Sequence, residues 1–294
     1  MDFTIVTPSH RQLDWLACCI ASVADQEGVT VEHIVQDAGT EGFAEFAERM
    51  RKRWPDREGY RRVMISETDA GMYDAINKGL KRGSGRICAY LNCDEQYLPG
   101  ALVKVKEGFA KHSEAEILYG GFLVVDEQGR LVAAQRPVRM FWPHVATSHL
   151  PNFTCATFFL RAMLERDKAW FDSSYRACGD AVWTVARLKA RTPSWLLRQF
   201  VAVFAERAYS QGLSKIGSQE SFRLKVLQPQ WIRALGWFWK VIHRGRKLFS
   251  GQYFPAYVSS QIFLYPLQRE SRQAVGGILL PFWTSRLRRV LERD

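Results

Sequence analysis

The sequence has 294 residues, 47% of them hydrophobic, which is enough for one large domain or for a domain with an appendage. No apolar run approaches the roughly eighteen residues of a membrane span, and the start MDFTIVTPSH has no basic segment leading into an apolar one, so neither a transmembrane helix nor a signal peptide is expected. The six cysteines show no CxxC pair and no regular spacing, which argues against a zinc site or disulfide framework and favours a reducing cytoplasm.

The net charge of +11 is concentrated in the last quarter of the chain. Residues 223–294 carry thirteen Lys/Arg against three Asp/Glu, a net +10. Residues 1–222 carry twenty-eight basic and twenty-seven acidic side chains, a net +1. We therefore predict a nearly neutral globular domain at 1–222 and a basic C-terminal extension at 223–294 that has a binding partner of its own.

The first ninety residues alternate between predicted strands and helices. Strands are predicted at Phe3–Thr7, Val31–Val35, Arg62–Ser66 and Ile87–Leu91, and helices at Gln12–Ala24, Glu41–Arg53 and Met72–Arg82. This alternation implies an α/β domain with a Rossmann-like, mostly parallel, doubly wound sheet. In such sheets ligands bind at the carboxyl ends of the strands.

Beyond Leu118 the pattern changes. Glycine-punctuated strands begin with Ile117–Val125, and a segment bounded by Pro137 and Pro151 follows. Helices are predicted at Phe158–Glu165 and Asp180–Ala190, with the sequence FDSSYRACGD between them.

Adjacent acids close the apolar strand at residues 87–91. The sequence continues Asn92-Cys93-Asp94-Glu95, and like charges placed side by side repel each other. A strand end in solvent, or a cap on a following helix, would explain them. Because other acids follow neighbouring strands, the alternative is a hard divalent cation. Mg²⁺ or Mn²⁺ takes one or two carboxylates and completes its shell with substrate phosphates.

A second polar segment, SETDAGMYDAINKG at residues 66–79, leads into a predicted helix. Its Gly71 permits close approach of a ligand to the backbone, and the helix N-terminus favours an anion such as a diphosphate. Asp37, which follows the second strand, is by itself weak evidence of a site, because aspartate is common in turns.

Together these segments resemble the family 2 glycosyltransferases, which have the GT-A fold, and in particular the branch that builds bacterial surface polysaccharides. The resemblance covers about residues 3–214 and rests on five segments in the family's order. They are TIVTPSHRQ, HIVQDAGTEG, SETDAGMYDAINKGLKRGSGRICAYLNCDE, FDSSYRACGDAVWTVARL and YSQGLS.

The resemblance implies roles for residues at these positions. Asp94 corresponds to the last Asp of the family's metal motif, with Glu95 as a secondary candidate, and Asp180 corresponds to the catalytic base. The implied cofactor is Mn²⁺ or Mg²⁺. The implied donor-binding residues are Thr7, Pro8, Ser9, Asp37, Asp69, Gly71, Asn77, Lys78 and Asn92.

The sequence departs from the family pattern at three places. Asn92 stands at the first acidic position of the metal motif, a departure shared with this branch. Ile76 stands where many relatives have an Arg that contacts the diphosphate, and Lys78 is the nearby cation. Thr154 and Cys155 replace a His-Gln pair that the branch often has, in a segment connected with acceptor recognition.

Asp180 precedes an amphipathic helix, where an aspartate is often only an N-cap. As a general base it would accept the proton of the acceptor hydroxyl while that oxygen attacks the anomeric carbon. The metal would stabilise the departing nucleoside diphosphate. One base and one displacement would invert the anomeric centre.

The basic extension combines aromatic side chains with Lys and Arg. Residues 230–247, QWIRALGWFWKVIHRGRK, are predicted to form one amphipathic helix, and PFWTSRLRRVLERD at 281–294 repeats the mixture. Its predicted apolar side comprises Trp231, Leu235, Phe238 and Ile242, and its basic side comprises Arg233, Lys240, Arg244 and Lys247.

Four interpretations of this extension compete. The helix could pack on the catalytic domain, lie in the interface of an anionic membrane, bind nucleic acid, or join two copies of the chain. The absence of a nucleic-acid motif argues against the third interpretation. We expect the membrane interpretation, because acceptors in this polysaccharide branch are often lipid-linked sugars.

The sequence therefore predicts a metal-dependent, inverting hexosyl- or N-acetylhexosaminyltransferase, peripheral on the inner face of the plasma membrane. Its partners would be a nucleotide-sugar donor, UDP-linked by preference, and a glycan acceptor, lipid-linked or free. The alternative from another class is a catalytically silent nucleotide-sugar or glycan-binding subunit of an assembly complex. A nucleotidyltransferase on a related sheet is a weaker alternative, because it would not need Asp180.

Overall fold

The computed structural model describes residues 1–206, 214–254, 256–267 and 271–279. Its strands are β1 Phe3–Ser9, β2 Val31–Asp37, β3 Tyr60–Ser66, β4 Ile87–Tyr90, β5 Glu95–Tyr97, β6 Ile117–Val125, β7 Leu131–Gln135, β8 Thr157–Leu160, β9 Ser194–Ala205, β10 Ala256–Leu264 and β11 Gln273–Leu279. Its α-helices are α1 Leu13–Ala24, α2 Phe43–Arg53, α3 Met72–Arg82, α4 Ala101–Lys111, α5 Trp142–Thr147, α6 Arg161–Arg166, α7 Gly179–Lys189, α8 Lys215–Val226, α9 Gln230–Ala234 and α10 Gly236–Phe249.

One large sheet organises the molecule. Among the described residues nine strands form it in the order β3-β2-β1-β4-β8-β6-β9-β5, with β7 beside β6. The pairs in β3-β2-β1-β4 are all parallel, as predicted from the alternation of strands and helices. The second half is mixed, because β8 runs antiparallel between β4 and β6, whereas β6 and β9 are parallel.

The first strands are buried on both faces, and in β2 this burial includes polar side chains such as Glu32, His33 and Gln36. Every residue of β1 and β2 is buried. Side chains from α1 and α4 join Phe3 and Ile5 in a cluster on one side of the sheet. Side chains from α3 join Val6 and Tyr90 in a second cluster. The parallel half of the sheet therefore lies between two helical layers.

One predicted helix was wrong. Phe158 and Phe159 belong to β8, and only Arg161–Arg166 of that segment is helical. Phe159 pairs with Cys88 on one side and with Ile117 on the other, and both phenylalanines are almost fully buried. A short apolar run buried in the middle of a sheet has no alternation to distinguish it from a buried helix.

The helix predicted at 230–247 is two helices, α9 and α10, with Leu235 between them. Leu235 has φ −86° and ψ 18°, which interrupts the regular turn immediately before Gly236. The indole of Trp239 donates to the carbonyl of Ile232 across this break, at 2.9 Å. The prediction of one continuous helix was therefore wrong. At the break, the side-chain N–H of Trp239 takes the place of a backbone N–H as the donor to the Ile232 carbonyl.

The described part of the extension lies against the α/β domain. The predicted boundary after residue 222 falls inside α8. Farther along, the backbone of Tyr265 exchanges two hydrogen bonds with the Gln96 amide, at 2.8 and 2.9 Å, and Arg272 forms an ion pair with Asp25. β10 and β11 form a separate antiparallel pair, and the element predicted at 281–294 lies outside the described residues.

No helix in the described ranges combines the length and apolarity that a membrane crossing requires. All six cysteines fall within these ranges, and each is a buried free thiol.

Candidate active site

The carboxyl ends of the first strands meet at one edge of the sheet. Ser9 pairs with Asp37, and Asp37 pairs with Ser66, so the last residues of β1, β2 and β3 lie side by side. The amide of Leu91 donates to the carbonyl of Val6 at 2.9 Å, which brings the turn after β4 to the same edge. The structure therefore brings together the strand-end residues that the sequence singled out.

Asp37 is held firmly at this edge. Its carboxylate accepts hydrogen bonds from the backbone amide and hydroxyl of Thr40, at 2.7 and 2.6 Å, and from the hydroxyl of Ser66 at 2.9 Å. Within β1 the hydroxyl of Thr7 lies 2.9 Å from Nε2 of buried His33. These bonds hold Asp37 and Thr7 in place at the bottom of the predicted donor site.

The start of α3 forms one wall of the site. Gly71 has φ +125°, a conformation that side-chain-bearing residues rarely adopt, and its amide donates to Asp69 Oδ1 at 2.9 Å. Lys78 lies in the second turn of the helix, where it forms an ion pair with Asp74 at 3.1 Å and donates to the carbonyl of Thr68. The lysine that replaces the missing arginine is thus already held by neighbouring groups.

Asn77 connects this wall to the FDSSYRACGD segment. Its amide donates to the carbonyl of Phe171 at 2.7 Å and accepts from the Phe171 backbone N–H at 3.0 Å. The sequence predicted Asn77 near the phosphates. The structure shows that both of its polar atoms position the chain that leads to Asp180.

The Asn92–Glu95 turn carries two acids in different environments. Asp94 is partly exposed, whereas Glu95 is only 2% exposed and accepts the backbone N–H of Asn92 at 2.8 Å. Burial, followed by the neighbouring charge of Asp94, raises the pKa of Glu95 to about 8, although its hydrogen bonds to Asn92 oppose the rise. Glu95 therefore braces the turn from inside.

Asp180 stands at the start of α7, facing α3. Its carboxylate accepts from the hydroxyl of Tyr73 at 3.2 Å and from the backbone N–H of Ala181 at 2.8 Å. Burial raises the pKa of Asp180 to about 6 against these hydrogen bonds. Burial also keeps the pKa of Tyr73 far above neutrality, so the phenol is the donor.

Gly179 allows this arrangement. A Cβ at Gly179 would come within 2.6 Å of the Tyr73 ring, so a larger residue would push α7 away from α3. Because glycine at position 179 has no side chain, the hydroxyl of Tyr73 can reach the carboxylate of Asp180, the next residue in the chain.

The acids of the two regions lie near enough for their charges to act on the same carboxyl group, that of Glu95. The charge of Asp180, like that of Asp94, contributes to the raised pKa of Glu95. Two atoms at this edge, Ser9 Oγ and Asn92 Oδ1, are enclosed and have no hydrogen-bond partner among the described residues. Unpaired polar atoms in such positions are costly unless another molecule satisfies them. Oxygen donors beside a carboxylate match what Mg²⁺ and Mn²⁺ prefer.

Glu220 is a site residue that the sequence did not reveal. It lies on α8, and its carboxylate accepts the consecutive backbone N–H groups of Arg176, Ala177 and Cys178 at 2.7, 2.8 and 2.9 Å. This clasp fixes the chain immediately before Asp180. No local pattern links position 220 to residues more than forty positions earlier, so only the folded structure identifies it.

Comparison with known proteins finds glycosyltransferases by sequence. The profile of glycosyl transferase family 2 matches residues 4–167. A PGL/p-HBAD biosynthesis glycosyltransferase of Mycobacterium tuberculosis (strain ATCC 25177 / H37Ra) is 26% identical over 124 residues, 42% of this chain and 47% of its own. The putative teichuronic acid biosynthesis glycosyltransferase TuaG of Bacillus subtilis (strain 168) is 28% identical over 127 residues, 43% of this chain and 48% of its own. The chain thus spans about half the length of these relatives.

Solved structures share the fold at low sequence identity. S. aureus TarS 1-349 in complex with UDP-GlcNAc is similar with a TM-score of 0.58 and 12% identity, over 94% of this chain and 100% of that one. The mannosyltransferase PcManGT from Pyrobaculum calidifontis, in complex with GDP-Man and Mn²⁺, gives 0.55 and 12% over 83% and 75%. The predicted GT-A fold of the catalytic domain is thereby confirmed. Since the family profile covers more than half of the sequence, the chain belongs to glycosyl transferase family 2.

Proposed function

We propose that the protein transfers one sugar, with inversion, from a nucleotide-sugar donor to a glycan acceptor in surface-polysaccharide synthesis. The observation that carries this proposal is the position of Asp180. Its carboxylate accepts the hydroxyl of Tyr73 and has a raised pKa, and its charge acts, together with that of Asp94, on buried Glu95. A general base works best when its pKa lies near the pH at which the enzyme operates.

The reaction needs one proton acceptor. Asp180 would accept the proton of the acceptor hydroxyl while that oxygen forms a bond to the anomeric carbon. The bond from that carbon to the nucleoside diphosphate breaks at the same time, with the electron pair leaving on the diphosphate. Attack from the face opposite the leaving group inverts the centre, and no second nucleophile is required.

Asp94 would hold Mn²⁺ or Mg²⁺, and the partly exposed side of the Asn92–Glu95 turn is where a diphosphate would lie. When bound, the metal neutralises charge on the leaving diphosphate. Glu95, buried and hydrogen-bonded to Asn92, is better suited to bracing the turn than to ligation. Asp37, Thr7, Pro8 and Ser9 would contact the base and ribose.

UDP-sugars, carrying a hexosyl or N-acetylhexosaminyl group, are the donors we expect, and GDP-sugars are the next to test. Purified protein would be supplied with each donor, Mn²⁺ and a lipid-linked oligosaccharide fraction, and nucleotide release would be measured. Nuclear magnetic resonance of the product would report the anomeric configuration. Retention of configuration would exclude the single displacement. Donor binding without release, with every acceptor, would favour the silent binding subunit.

We further propose that the extension holds the enzyme on the inner face of the plasma membrane. Large apolar side chains of α9 and α10 face solvent, and Trp231 is 58%, Trp237 68% and Phe249 91% exposed. Clustered exposed apolar groups of this size mark interaction surfaces. The other side of α10 carries Trp239 and His243, which face the catalytic domain.

Two sets of side chains would contribute to membrane binding. The basic set would attract anionic lipid at roughly 1 kcal/mol for each residue near the surface, a term that salt screens. The apolar set would add a contribution that salt does not affect. The basic set is Arg233, Lys240, Arg244 and Lys247, and the apolar set is Trp231, Leu235 and Phe238, with Ile242 partly buried behind it.

A further inference from the structure

Three of the six histidines meet where the extension packs on the catalytic domain. His144 lies in α5, His149 follows the end of α5, and His243 lies in α10. One ring nitrogen of each lies within 4.8 Å of one ring nitrogen of each of the others. Because positions 144 and 243 are far apart in the chain, no spacing in the sequence reveals this cluster.

The two inner rings are poorly satisfied by their surroundings. His144 is 1% and His243 is 3% exposed. Nε2 of His144 and both ring nitrogens of His243 have no hydrogen-bond partner in the described part of the chain. A buried polar atom without a partner costs about 1–3 kcal/mol. Three such atoms at one contact between helices indicate that a ligand completes the site.

We propose that His144, His149 and His243 bind one borderline divalent transition metal ion, for which Zn²⁺ is the best match. Three imidazoles with an open fourth position are an established zinc ligand set. Imidazole suits Zn²⁺, Co²⁺, Ni²⁺ and Cu²⁺, whereas Mg²⁺ and Mn²⁺ prefer oxygen ligands. This site is therefore chemically distinct from the one at Asp94.

The arrangement of the rings supports an entry path through His149. That residue is exposed and its ring stands at 81° and 83° to the other two rings, whereas the rings of His144 and His243 stack at 3.8 Å with 18° between their planes. The nitrogen lone pairs of two stacked imidazole rings lie in nearly parallel planes and do not point at a common position. Metal binding would therefore require one of the two rings to rotate.

A metal at this place would join two parts of the molecule. His243 would tie the extension to α5, and the backbone carbonyls of Arg139 and Met140, just before α5, already accept the Arg246 guanidinium. α5 packs in turn against α7, the helix that carries Asp180 in its first turn. The ion would act as a crosslink between the surface helix and the scaffold of the site.

Lys240, Lys247 and Arg246 lie near the cluster, and their positive charges oppose the binding of a cation. The affinity of the site for the metal ion should therefore rise with ionic strength.

The test is a Co²⁺ titration of the chelator-stripped 294-residue chain carrying Asp94→Ala, which removes the other metal site from the measurement. We expect about one equivalent bound, visible absorption typical of four- or five-coordinate cobalt, and displacement by Zn²⁺ but not by Mn²⁺. Variants His149→Gln and His243→Gln should each bind Zn²⁺ about tenfold or more weakly. The matched control is His112→Gln, which changes a histidine remote from the cluster and should leave the titration unchanged.

Circular dichroism and melting curves establish that each variant folds. His149 is exposed, so its variant keeps the test decisive even if loss of buried His243 unfolds α10. Cobalt absorption that is the same in His149→Gln as in the protein with all three histidines would overturn the proposal. Absence of stoichiometric uptake would do so as well. Neither result bears on the transferase proposal, which is measured separately by nucleotide release.

Discussion

Replacing Asp180 by Asn should abolish turnover and stabilise the protein at the same time. The amide oxygen can still accept from the Tyr73 hydroxyl and from the Ala181 N–H, so the local geometry is retained. What disappears is a negative charge in a mostly enclosed position. General-base catalysis typically contributes 10²–10⁴-fold, roughly the loss of turnover that we expect.

The stability effect follows from the pKa. The folded structure raises the pKa of Asp180 from its ordinary value of 3.8 to about 6. Each pKa unit corresponds to about 1.4 kcal/mol, so full ionisation costs the folded state at most about 3 kcal/mol. Because the side chain is partly open to solvent, we expect about 1–3 kcal/mol.

The sign can be checked by linkage. The folded state holds the Asp180 proton more tightly than the unfolded state, so the stabilising contribution of this group is complete below pH 3.8 and is lost as pH rises through about 6. The Asn variant has no such loss. The difference in free energy of unfolding should therefore be close to zero near pH 4, increase between pH 4 and 6, and stay constant above pH 7.

Urea denaturation of both proteins from pH 4 to 9 measures this difference, and donor titration confirms that nucleotide affinity is unchanged. Asp172→Asn is the matched control, since Asp172 is exposed, lies in the same segment and accepts a local backbone hydrogen bond. A variant less stable than the native chain at pH 8 would refute the reasoning. So would a collapse of donor affinity with high residual turnover, which would make Asp180 a structural cap or donor contact.

Three further predictions concern the metal, the clasp and the membrane. Asp94→Ala should abolish transfer and the Mn²⁺-dependent part of donor binding measured by calorimetry, whereas undiminished turnover of chelator-treated enzyme would contradict a metal role. Glu220→Gln should lower kcat about tenfold with little change in donor KM. Since the charge of Glu220 helps to raise the pKa of Asp180, it should also shift the acidic limb of the rate profile to lower pH, and an unmoved limb would leave only a structural role. Changing the basic set to Gln should abolish the preference for anionic over neutral vesicles in sedimentation, and changing the apolar set to Ser should weaken binding to both. Native protein that stays in the supernatant with anionic vesicles at low salt would rule out the membrane proposal.

The sequence predicted the parallel half of the sheet well, because short strand segments alternate there with amphipathic helices and end in polar residues such as Ser9 and Asp37. Motifs that lie within single segments also singled out Asp37, Asp94 and Asp180, whose roles stay predictions. It misassigned Phe158 and Phe159, since their strand character comes from partners on both sides.

Contacts between distant segments were beyond the reach of local patterns. Glu220 acts on residues 176–178, and the histidine cluster joins α5 to α10. Asn77 was predicted as a phosphate neighbour from its position in a motif, whereas its hydrogen bonds to Phe171 depend on how α3 and the later segment pack. Long-range pairing, rather than composition, determines these parts of the site.

The pairing of β5 with β9 has a consequence for the order of folding during synthesis. β1 to β4 use only residues 3–90, so this half can assemble while the rest of the chain is still being made. β5 follows Asp94 directly, yet its partner is β9, where Glu95 pairs with Phe204. The turn that carries Asp94 therefore remains unsupported on one side until β9 has emerged, and the clasp on the chain before Asp180 comes later still. A nascent chain would form the edge that carries Asp37 first and become competent for catalysis only after β9 and α8 have emerged.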